Sequence, residues 1–302
     1  MKNRYDKFVL EADKGIIFEV SEGTSGELII RACNIYGANV YFENYVNPPI
    51  PEGYKHVEGD WNDGFVIERG SDGSQFVWIP VGFLDSNGTL DGEQFSEKFG
   101  RRNYRNDDFS DKKFNEPLTG DLLKQFESIK KYGGFYISRY SISKNSEGKP
   151  QSIKGAMPWT EINFDDAKTV ASEFENREDV KSHLPFGCEY DSVLEWFIKS
   201  GARTLKDVAK DSTDWGNHWN TENSPQKVVE TGLKEQWSTN RIYDFAGNVD
   251  EWTQEENGKS CRVIRGGNYY NFGCNYPAGC RICNYPDDDF SNTGFRATLY
   301  IK

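Results

Sequence analysis

The sequence predicts a loop-rich fold of the α+β class. Aromatic residues make up 15% of the 302 residues and glycine accounts for 29 of them, whereas methionine occurs only twice. This composition favours an α+β or an all-β fold over a helical bundle, and the aromatic content excludes a disordered chain. Of these two fold classes, the α+β class is favoured, because some segments described below have helical periodicity.

The charge and the hydropathy pattern exclude several classes of partner. The formal net charge of −12 would repel a phosphate backbone. No stretch approaches the roughly 18 consecutive apolar residues of a membrane helix, and the first residues lead into no apolar signal segment. We therefore expect no nucleic-acid partner, no membrane insertion and no signal peptide. The compartment stays open, and a virion or cell surface reached by another route is compatible with these features.

The beginning of the chain predicts a small β element. Strand-like runs occupy residues 16–20, 27–33 and 38–46, and turns rich in Gly, Ser and Asn separate them. A proline-rich stretch then interrupts regular structure, because proline lacks an amide donor and restricts the residue before it. We therefore divide the chain into an N-terminal element, residues 1–47, and a larger domain, residues 48–302.

The first half of the larger domain predicts buried strands. Residues 76–81 and 134–140 are aromatic and β-branched runs next to glycines, which is typical of strands in a core. Between them, residues 118–131 are compatible with a helix.

Two further helices follow. Residues 163–174 place their apolar side chains on one face, and Asn163 can cap the exposed amides at the start. A similar stripe predicts a helix over residues 191–199. After Ser200 the sequence is polar and rich in Gly and Trp, with little periodicity. It predicts long ordered loops held by buried aromatic residues, which is where binding sites usually lie.

Several segments together resemble the formylglycine-generating enzyme (sulfatase-modifying factor) family, whose catalytic domain is similar to a variant of the C-type lectin fold. In chain order they are residues 76–81 (FVWIPV), 133–140 (GGFYISRY), 158–160 (PWT), 184–187 (LPFG) with Glu195 and Trp196, 242–252 (IYDFAGNVDEW), 262–267 (RVIRGG) and 294–296 (GFR). Their order over residues 51–302 is specific for a C-type lectin-like fold of the formylglycine-generating type. It is less specific for function, since one fold hosts unrelated activities.

The resemblance implies a structural calcium ion, held by the side chains of Asp244 and Glu251 and by the carbonyls of Gly247 and Val249. Calcium takes about six to eight oxygen ligands, and a glycine-containing loop with carboxylates at both ends can supply several of them. From spacing alone, an ordinary turn capped by Asp244 is the alternative. Asp250 departs from the family pattern, in which an aromatic residue is usual there.

The chemistry of the true formylglycine-generating enzymes is not expected here. In that family two cysteines shortly after the Gly-Gly pair capture copper as thiolates, and the matching positions are Asn271 and Tyr276. We therefore expect no copper and no cysteine oxidation. The related iron oxidases need a histidine triad from a further helical domain, whereas this chain has three scattered histidines.

The cysteines favour free thiols. A large chain without a signal segment is not a typical disulfide scaffold. A thiolate site for Cu(I) or Zn(II), formed by Cys274, Cys280, Cys283 and Cys261, is a weaker alternative, because such sites normally show paired short spacings on both sides.

The composition of the C-terminal segment is biased. Residues 261–300 contain no Lys, Glu, Gln, Met or Trp, although the residues just before contain most of them. These are the residue types that no codon ending in a pyrimidine encodes. The pattern resembles the variable region of diversity-generating retroelement target proteins, which use this lectin-like fold and are diversified by adenine-directed mutagenesis. A polar loop that lacks these types by chance is the alternative.

The same resemblance divides the segment into a framework and candidate variable positions. The framework comprises residues 265–269, Gly273, Pro277, Ala278, Arg281, Pro286 and residues 294–302. The candidate variable positions, which we expect to bind the ligand, are Tyr270, Asn271, Phe272, Cys274, Asn275, Tyr276, Cys280, Ile282, Cys283, Asn284, Tyr285, Asp287, Asp288, Asp289 and Phe290. Of these, we expect one exposed patch to be formed by Tyr270, Phe272, Asn275, Tyr276, Ile282, Asn284, Tyr285, Asp288 and Phe290. Their Tyr and Asn content is typical of paratopes.

These features lead to a hypothesis of a non-enzymatic protein that binds an unknown protein or glycan. A phage or prophage receptor-binding or tail-associated component is the setting that the resemblance implies. The alternatives are an oxidase of the formylglycine-generating type acting on a protein cysteine, and a purely structural surface module.

Overall fold

The computed structural model describes most of the larger domain and the strands of the N-terminal element. The described residues are 16–22, 28–34, 39–40, 48–60, 63–82, 99–104, 114–258 and 260–302. The chain forms two compact units, Met1–Asn47 and Pro48–Lys302. Within the described residues, no helix combines the length and the apolar character that crossing a bilayer requires.

The first unit contains a three-stranded antiparallel sheet. Its strands are β1 (Ile16–Glu22), β2 (Leu28–Asn34) and β3 (Asn39–Val40), in the order β1-β2-β3. The first two predicted strands are confirmed. Of the third predicted run, residues 41–46 lie outside the described residues.

The second unit is a mixture of short strands and helices. In chain order its elements are β4 (Tyr54–Glu58), β5 (Val66–Arg69), β6 (Gln75–Pro80), β7 (Phe114–Asn115), α1 (Gly120–Tyr132), β8 (Gly134–Ser138), β9 (Ser143–Lys144), β10 (Pro150–Gln151), α2 (Phe164–Glu173), β11 (Val180–His183), α3 (Gly187–Lys199), α4 (Leu205–Ala209), β12 (Ser238–Thr239), β13 (Ile242–Tyr243), β14 (Asp250–Asn257), β15 (Cys261–Arg265), β16 (Ile282–Asn284), β17 (Thr293–Phe295) and β18 (Thr298–Ile301). The fold is therefore α+β.

A six-stranded sheet in the order β11-β18-β8-β6-β5-β4 forms the centre of this unit. All of its strand pairs are antiparallel. Alternate side chains of β6 enter different hydrophobic clusters: Val77 and Ile79 pack with α1 and α3, whereas Phe76 and Trp78 pack with α2. Because successive side chains of a strand point to opposite faces, the sheet is buried on both faces. The predicted strands at 76–81 and 134–140 are confirmed.

The helix predicted over residues 163–174 is confirmed as α2. The Asn163 side chain accepts a hydrogen bond from the Asp166 amide at 2.9 Å, as an N-cap should. The prediction over residues 118–131 corresponds to α1, which Thr119 caps and which ends at Gly133 in the left-handed conformation.

Helix α3 begins earlier than predicted, at Gly187 rather than Asp191. Its first two amides are satisfied by one distant carboxylate, that of Glu116, which no local pattern reveals. Glu116 accepts hydrogen bonds from the amides of Gly187 and Cys188, at 3.1 and 2.8 Å. Glu189 accepts one from the amide of Phe186 at 2.8 Å.

The region after Ser200 contains more regular structure than predicted. Helix α4 begins with a capping box between Thr204 and Asp207. A second sheet in the order β16-β15-β14-β17, with β7 also paired to β14, contains the C-terminal segment. Strand β14 shows no alternation because its polar side chains are buried as well as its apolar ones; Glu251, Gln254 and Glu255 all have partners inside the domain.

Candidate functional site

A loop and an edge strand make up the C-terminal segment in which the sequence predicts variable positions. The chain leaves β15, passes through a loop, and returns as β16, which pairs antiparallel with β15. Among the described residues, β16 is the outermost strand of its sheet. The segment then continues to β17, on the other side of β14. It thus joins the two edges of the second sheet.

Most of the candidate variable positions carry exposed side chains. The exposed ones are Tyr270, Phe272, Cys274, Asn275, Tyr276, Cys283, Tyr285, Asp287, Asp289 and Phe290, and the half-buried ones are Asn271, Ile282, Asn284 and Asp288. Tyr270 and Tyr285 expose the largest fractions, 67% and 63%. Cys280, a candidate ligand-binding position outside the predicted patch, has a buried side chain and is not part of the exposed surface. Its carbonyl accepts a hydrogen bond from Arg265 Nε at 2.9 Å, on the inner side of the loop.

The framework residues between the exposed positions lie inside the domain. Gly273, Pro277 and Ala278 are buried, and so are Gly266, Gly267, Gly294 and Phe295. A Cβ on Gly273 would lie 2.5 Å from the Thr213 amide nitrogen, and one on Gly267 would lie 2.5 Å from the Tyr276 carbonyl oxygen. Gly267 also has a φ of +71°, which side chains resist. Glycine is therefore required where the loop passes close to other backbone.

The side chain of Arg281 points into the domain and is only 5% exposed. Its Nε lies 2.8 and 2.9 Å from the two carboxylate oxygens of Glu255. One terminal nitrogen donates to Asp191, and the other donates to the Arg102 carbonyl at 3.0 Å. A residue in the middle of the surface segment thus anchors that segment to the core.

Arg281 belongs to a buried ionic cluster. Arg265 donates to Asp191 at 2.7 Å, and Arg101 lies 3.3 Å from Glu255. Burial alone would raise the pKa of Asp191, but the guanidinium groups of Arg281 and Arg265 hold it below its ordinary value. Asp191 therefore stays ionised, and the paired charges offset much of the cost of its burial.

Glu116 is a further buried carboxyl group beside this cluster, and the charge of Arg101 acts on it. Burial raises its pKa, and the neighbouring charge of Glu255 raises it further. Glu116 caps the start of α3 by accepting hydrogen bonds from the amides described above. Because a protonated carboxyl group is neutral, it can make these contacts without placing an unpaired charge in the interior.

The exposed aromatic side chains contact different parts of the fixed domain. The first exposed group, Tyr270, Phe272 and Tyr276, lies next to the loop of residues 211–224: the Gly273 amide donates to Asn220 Oδ1 at 3.0 Å. The second exposed group, Tyr285 and Phe290, lies at the start of α2, where the Phe164 amide donates to the Pro286 carbonyl at 3.0 Å. That both groups form one surface stays a prediction.

Cys261 and Cys283 form a disulfide with a Cα–Cα distance of 5.7 Å. The expectation of free thiols throughout is therefore wrong for this pair, although Cys188 and Cys274 are free. Antiparallel pairing of β15 with β16 brings the two residues together, which the sequence alone does not reveal. Among the described residues no cluster of three or more Cys, His, Asp or Glu side chains is arranged to hold a metal ion, and the four-cysteine site does not form.

The two positions that match the copper-binding cysteines of the family carry no thiol. Asn271 is half-buried and its Oδ1 accepts from the Asn268 amide at 3.3 Å, whereas Tyr276 is exposed. His218 lies beneath this loop, close to Gly267, and burial lowers its pKa to about 4. Its imidazole is therefore neutral at physiological pH.

The candidate calcium loop fits an ion in its donor chemistry. Asp244 is buried; its Oδ2 accepts from Thr231 and Gly232, both at 2.8 Å, while its Oδ1 has no hydrogen-bond donor among the described residues. Burial raises the pKa of Asp244. Such an unpaired carboxylate oxygen in the interior is the kind of ligand that calcium prefers.

Glu251, at the other end of the loop, already has a cationic partner. It accepts from Arg296 Nε at 2.9 Å and from the Ser141 hydroxyl at 2.7 Å. Burial raises its pKa, and Arg296 opposes this shift. Asp250, for which the resemblance leads us to expect an aromatic residue, is buried and accepts from Asn268. It therefore connects the candidate calcium loop to the start of the segment that contains the candidate variable positions.

The fold and these motifs define a domain of the formylglycine-generating type. The family described as "Sulfatase-modifying factor enzyme 1-like domain" matches residues 67–300, and the chain belongs to this family. No curated protein sequence matches the chain.

Three solved structures illustrate what the chain is similar to. Treponema denticola variable protein 1 is 14% identical over 83% of this chain and 100% of its own, with a TM-score of 0.44. PvdO from Pseudomonas aeruginosa is 15% identical over 78% of this chain and 97% of its own, also with a TM-score of 0.44. The Major Tropism Determinant U1 variant is 12% identical over 97% of this chain and 74% of its own, with a TM-score of 0.37.

Proposed function

We propose that the chain is a non-enzymatic ligand-binding protein whose C-terminal segment is a diversified binding surface. The observation that carries this proposal is the alternation within the segment. The candidate variable positions are exposed or half-buried, apart from Cys280, whereas Gly273, Pro277 and Ala278 are buried and the Arg281 side chain points inward. A segment that varies needs positions whose side chains can change without disturbing the core, and this arrangement supports that role at these positions, except at buried Cys280 and disulfide-bonded Cys283.

The target is a protein or a glycan, and receptor recognition by a phage or prophage component is the setting we propose. The most direct test is the DNA that flanks the gene. We expect a nearby reverse-transcriptase gene and a near-identical template repeat with adenines in the codons of the exposed positions. Independent isolates should differ at those codons and agree at Gly273 and Ala278. An invariant segment in many isolates, with no template repeat, would contradict the proposal.

Replacing Tyr270, Tyr276 and Tyr285 together by Ala is expected to change stability little. Exposed substitutions usually alter the free energy of unfolding by no more than about 0.5 kcal/mol each. The matched control is Phe295→Ala, a buried aromatic residue of β17, which should cost about 3–5 kcal/mol. Denaturant unfolding measures both. A triple variant as unstable as the control would mean that these tyrosines form part of the core.

We also propose that Asp244 and Glu251 hold a structural calcium ion with the carbonyls of Gly247 and Val249. Calcium added to chelator-treated protein should raise the melting temperature, because a ligand that binds only the folded state stabilises it by about 2.7 kcal/mol at one hundred times its Kd. Asp244→Asn should lose most of this response. Asp289→Asn, a change of the same type on an exposed residue, should keep it. Equal melting temperatures with and without calcium would contradict the proposed calcium site.

Family membership makes a cysteine oxidase the second candidate. We expect no such activity, because the thiolates that would capture copper are replaced by Asn271 and Tyr276. The assay incubates the protein with copper, oxygen and a sulfatase-type cysteine peptide, and mass spectrometry follows conversion of the cysteine to an aldehyde. A family member with both cysteines serves as the positive control. Turnover by this chain would show that it is an enzyme.

A further inference from the structure

Trp219 is a large aromatic side chain that the fixed part of the domain presents next to the variable segment. It is 37% exposed, whereas Trp78, Trp196, Trp215, Trp237 and Trp252 are buried. Its ring lies edge-on to Tyr270, with ring centroids 5.5 Å apart and an interplanar angle of 67°. Trp219 therefore extends the first exposed group with a residue that lies outside the segment.

The backbone around Trp219 is fixed to the segment. The Trp219 amide donates to the Asn271 carbonyl at 2.9 Å, and the next side chain, Asn220, accepts from the Gly273 amide. Asn220 also donates to Thr213 Oγ1 at 3.0 Å, which closes the loop on itself. Because these contacts mostly use backbone groups of the segment, they persist when the segment's exposed side chains change.

The genetic code supplies an independent reason for a tryptophan at this place. Tryptophan has no codon that ends in a pyrimidine, and the segment of residues 261–300 contains none. Diversification of such codons can produce tyrosine and arginine but never tryptophan. Tryptophan, with these two, is the residue most enriched among the energetic centres of protein interfaces. The surface can therefore have a tryptophan only if the fixed domain provides it.

We propose that Trp219 is a constant contact residue of the binding surface, used against protein targets whatever residues occupy the variable positions. This inference rests on the proposed function. A protein target is favoured over a glycan because Trp219, Tyr270, Phe272 and Tyr276 give the first exposed group an apolar aromatic centre, which is typical of the core of protein interfaces.

The test is a displayed library of this chain in which the exposed candidate positions are varied with pyrimidine-ending codons and Trp219 is kept. Binders are selected separately against lysozyme, serum albumin and a branched mannan. Trp219→Ala is then introduced into several unrelated binders of each probe. We expect it to weaken most protein binders at least tenfold and Trp219→Phe to weaken them less. The control is Met157→Ala, an exposed apolar residue elsewhere on the domain, which should change affinity less than twofold.

The outcomes separate this inference from the proposed function. Protein binders that tolerate both Trp219 variants would overturn the role of Trp219 and leave the proposed function intact. Dependence on Trp219 confined to mannan binders would overturn the assignment of a protein target. A well-displayed, folded library that yields no binder to any probe would overturn the proposed function and this inference with it. The melting temperature of each variant shows whether a loss of affinity reflects loss of folding. If Trp219→Ala does not fold, the affinity of the Trp219→Phe variant decides the test.

Discussion

Replacing Arg281 by Ala is expected to destabilise the domain by about 3–5 kcal/mol, whereas exposed residues of the same segment such as Tyr285 are expected to tolerate change. The guanidinium group contacts both carboxylate oxygens of Glu255 and also Asp191, and both acidic side chains are fully buried. Removing the cation leaves their charges without part of their compensation. Water cannot replace it at low cost in a closed interior.

The control for this prediction is Arg262→Ala. Arg262 lies on β15 and pairs with Glu256 at 3.3 Å, but both side chains are more than a fifth exposed. Such pairs contribute about 0–1 kcal/mol, so this variant should remain close to the parent. Arg281→Lys should fall between the two, because lysine keeps the charge but not the planar set of donors. Chemical denaturation measures all three. A loss below about 1 kcal/mol for Arg281→Ala would show that the cluster does not anchor the segment.

Replacing Cys283 by Ser is expected to cost about 3 kcal/mol under oxidising conditions, the size predicted for a closed loop of roughly this length. The disulfide to Cys261 spans 22 residues and encloses the whole first exposed group. A covalent link between β15 and the edge strand β16 restricts the unfolded chain and limits fraying of the edge. The difference should disappear when a reductant is present, since parent and variant then both lack the link.

Cys274→Ser provides the matched control, because Cys274 lies in the same segment but is exposed and free. It should leave the unfolding midpoint unchanged in either redox condition. Mass mapping of the oxidised protein should find Cys261 and Cys283 in one linked peptide. Two free thiols at these positions, together with equal stability of parent and variant, would contradict the disulfide.

The elements that the sequence predicts well are those whose stabilising contacts are local. Helix α2 has its cap at Asn163 and its apolar stripe within one stretch of chain, and β6 is an uninterrupted run of apolar residues. The start of α3 could not be predicted, because the carboxylate of Glu116 satisfies its amides from far away in the sequence. Strand β14 could not be predicted from the sequence for a related reason, since the partners of its buried polar side chains come from other elements.

The same distinction applies to the candidate site. The sequence predicts exposure at positions such as Tyr270 and Tyr285 because the segment is rich in turn-forming and aromatic residues. The family resemblance indicates which residues of the segment form the framework. The inward direction of Arg281, the pairing of Cys261 with Cys283 and the approach of Trp219 all depend on how distant segments pack. A local sequence pattern cannot reveal these contacts, because they join residues that are far apart in the chain.

The inward position of the framework residues has a consequence for the gene as well as for the protein. Glycine, proline and alanine codons contain no adenine in their first two bases, and arginine can be encoded in the same way by the triplets that begin with CG. Gly273, Pro277, Ala278 and Arg281 are therefore positions that an adenine-directed process can leave untouched. Tyrosine, asparagine and aspartate codons, which encode many of the exposed positions, all contain adenine. At these four positions the base composition of the gene would keep mutation out of the interior of the fold, so that new surfaces arise there without new cavities or unpaired charges in the core.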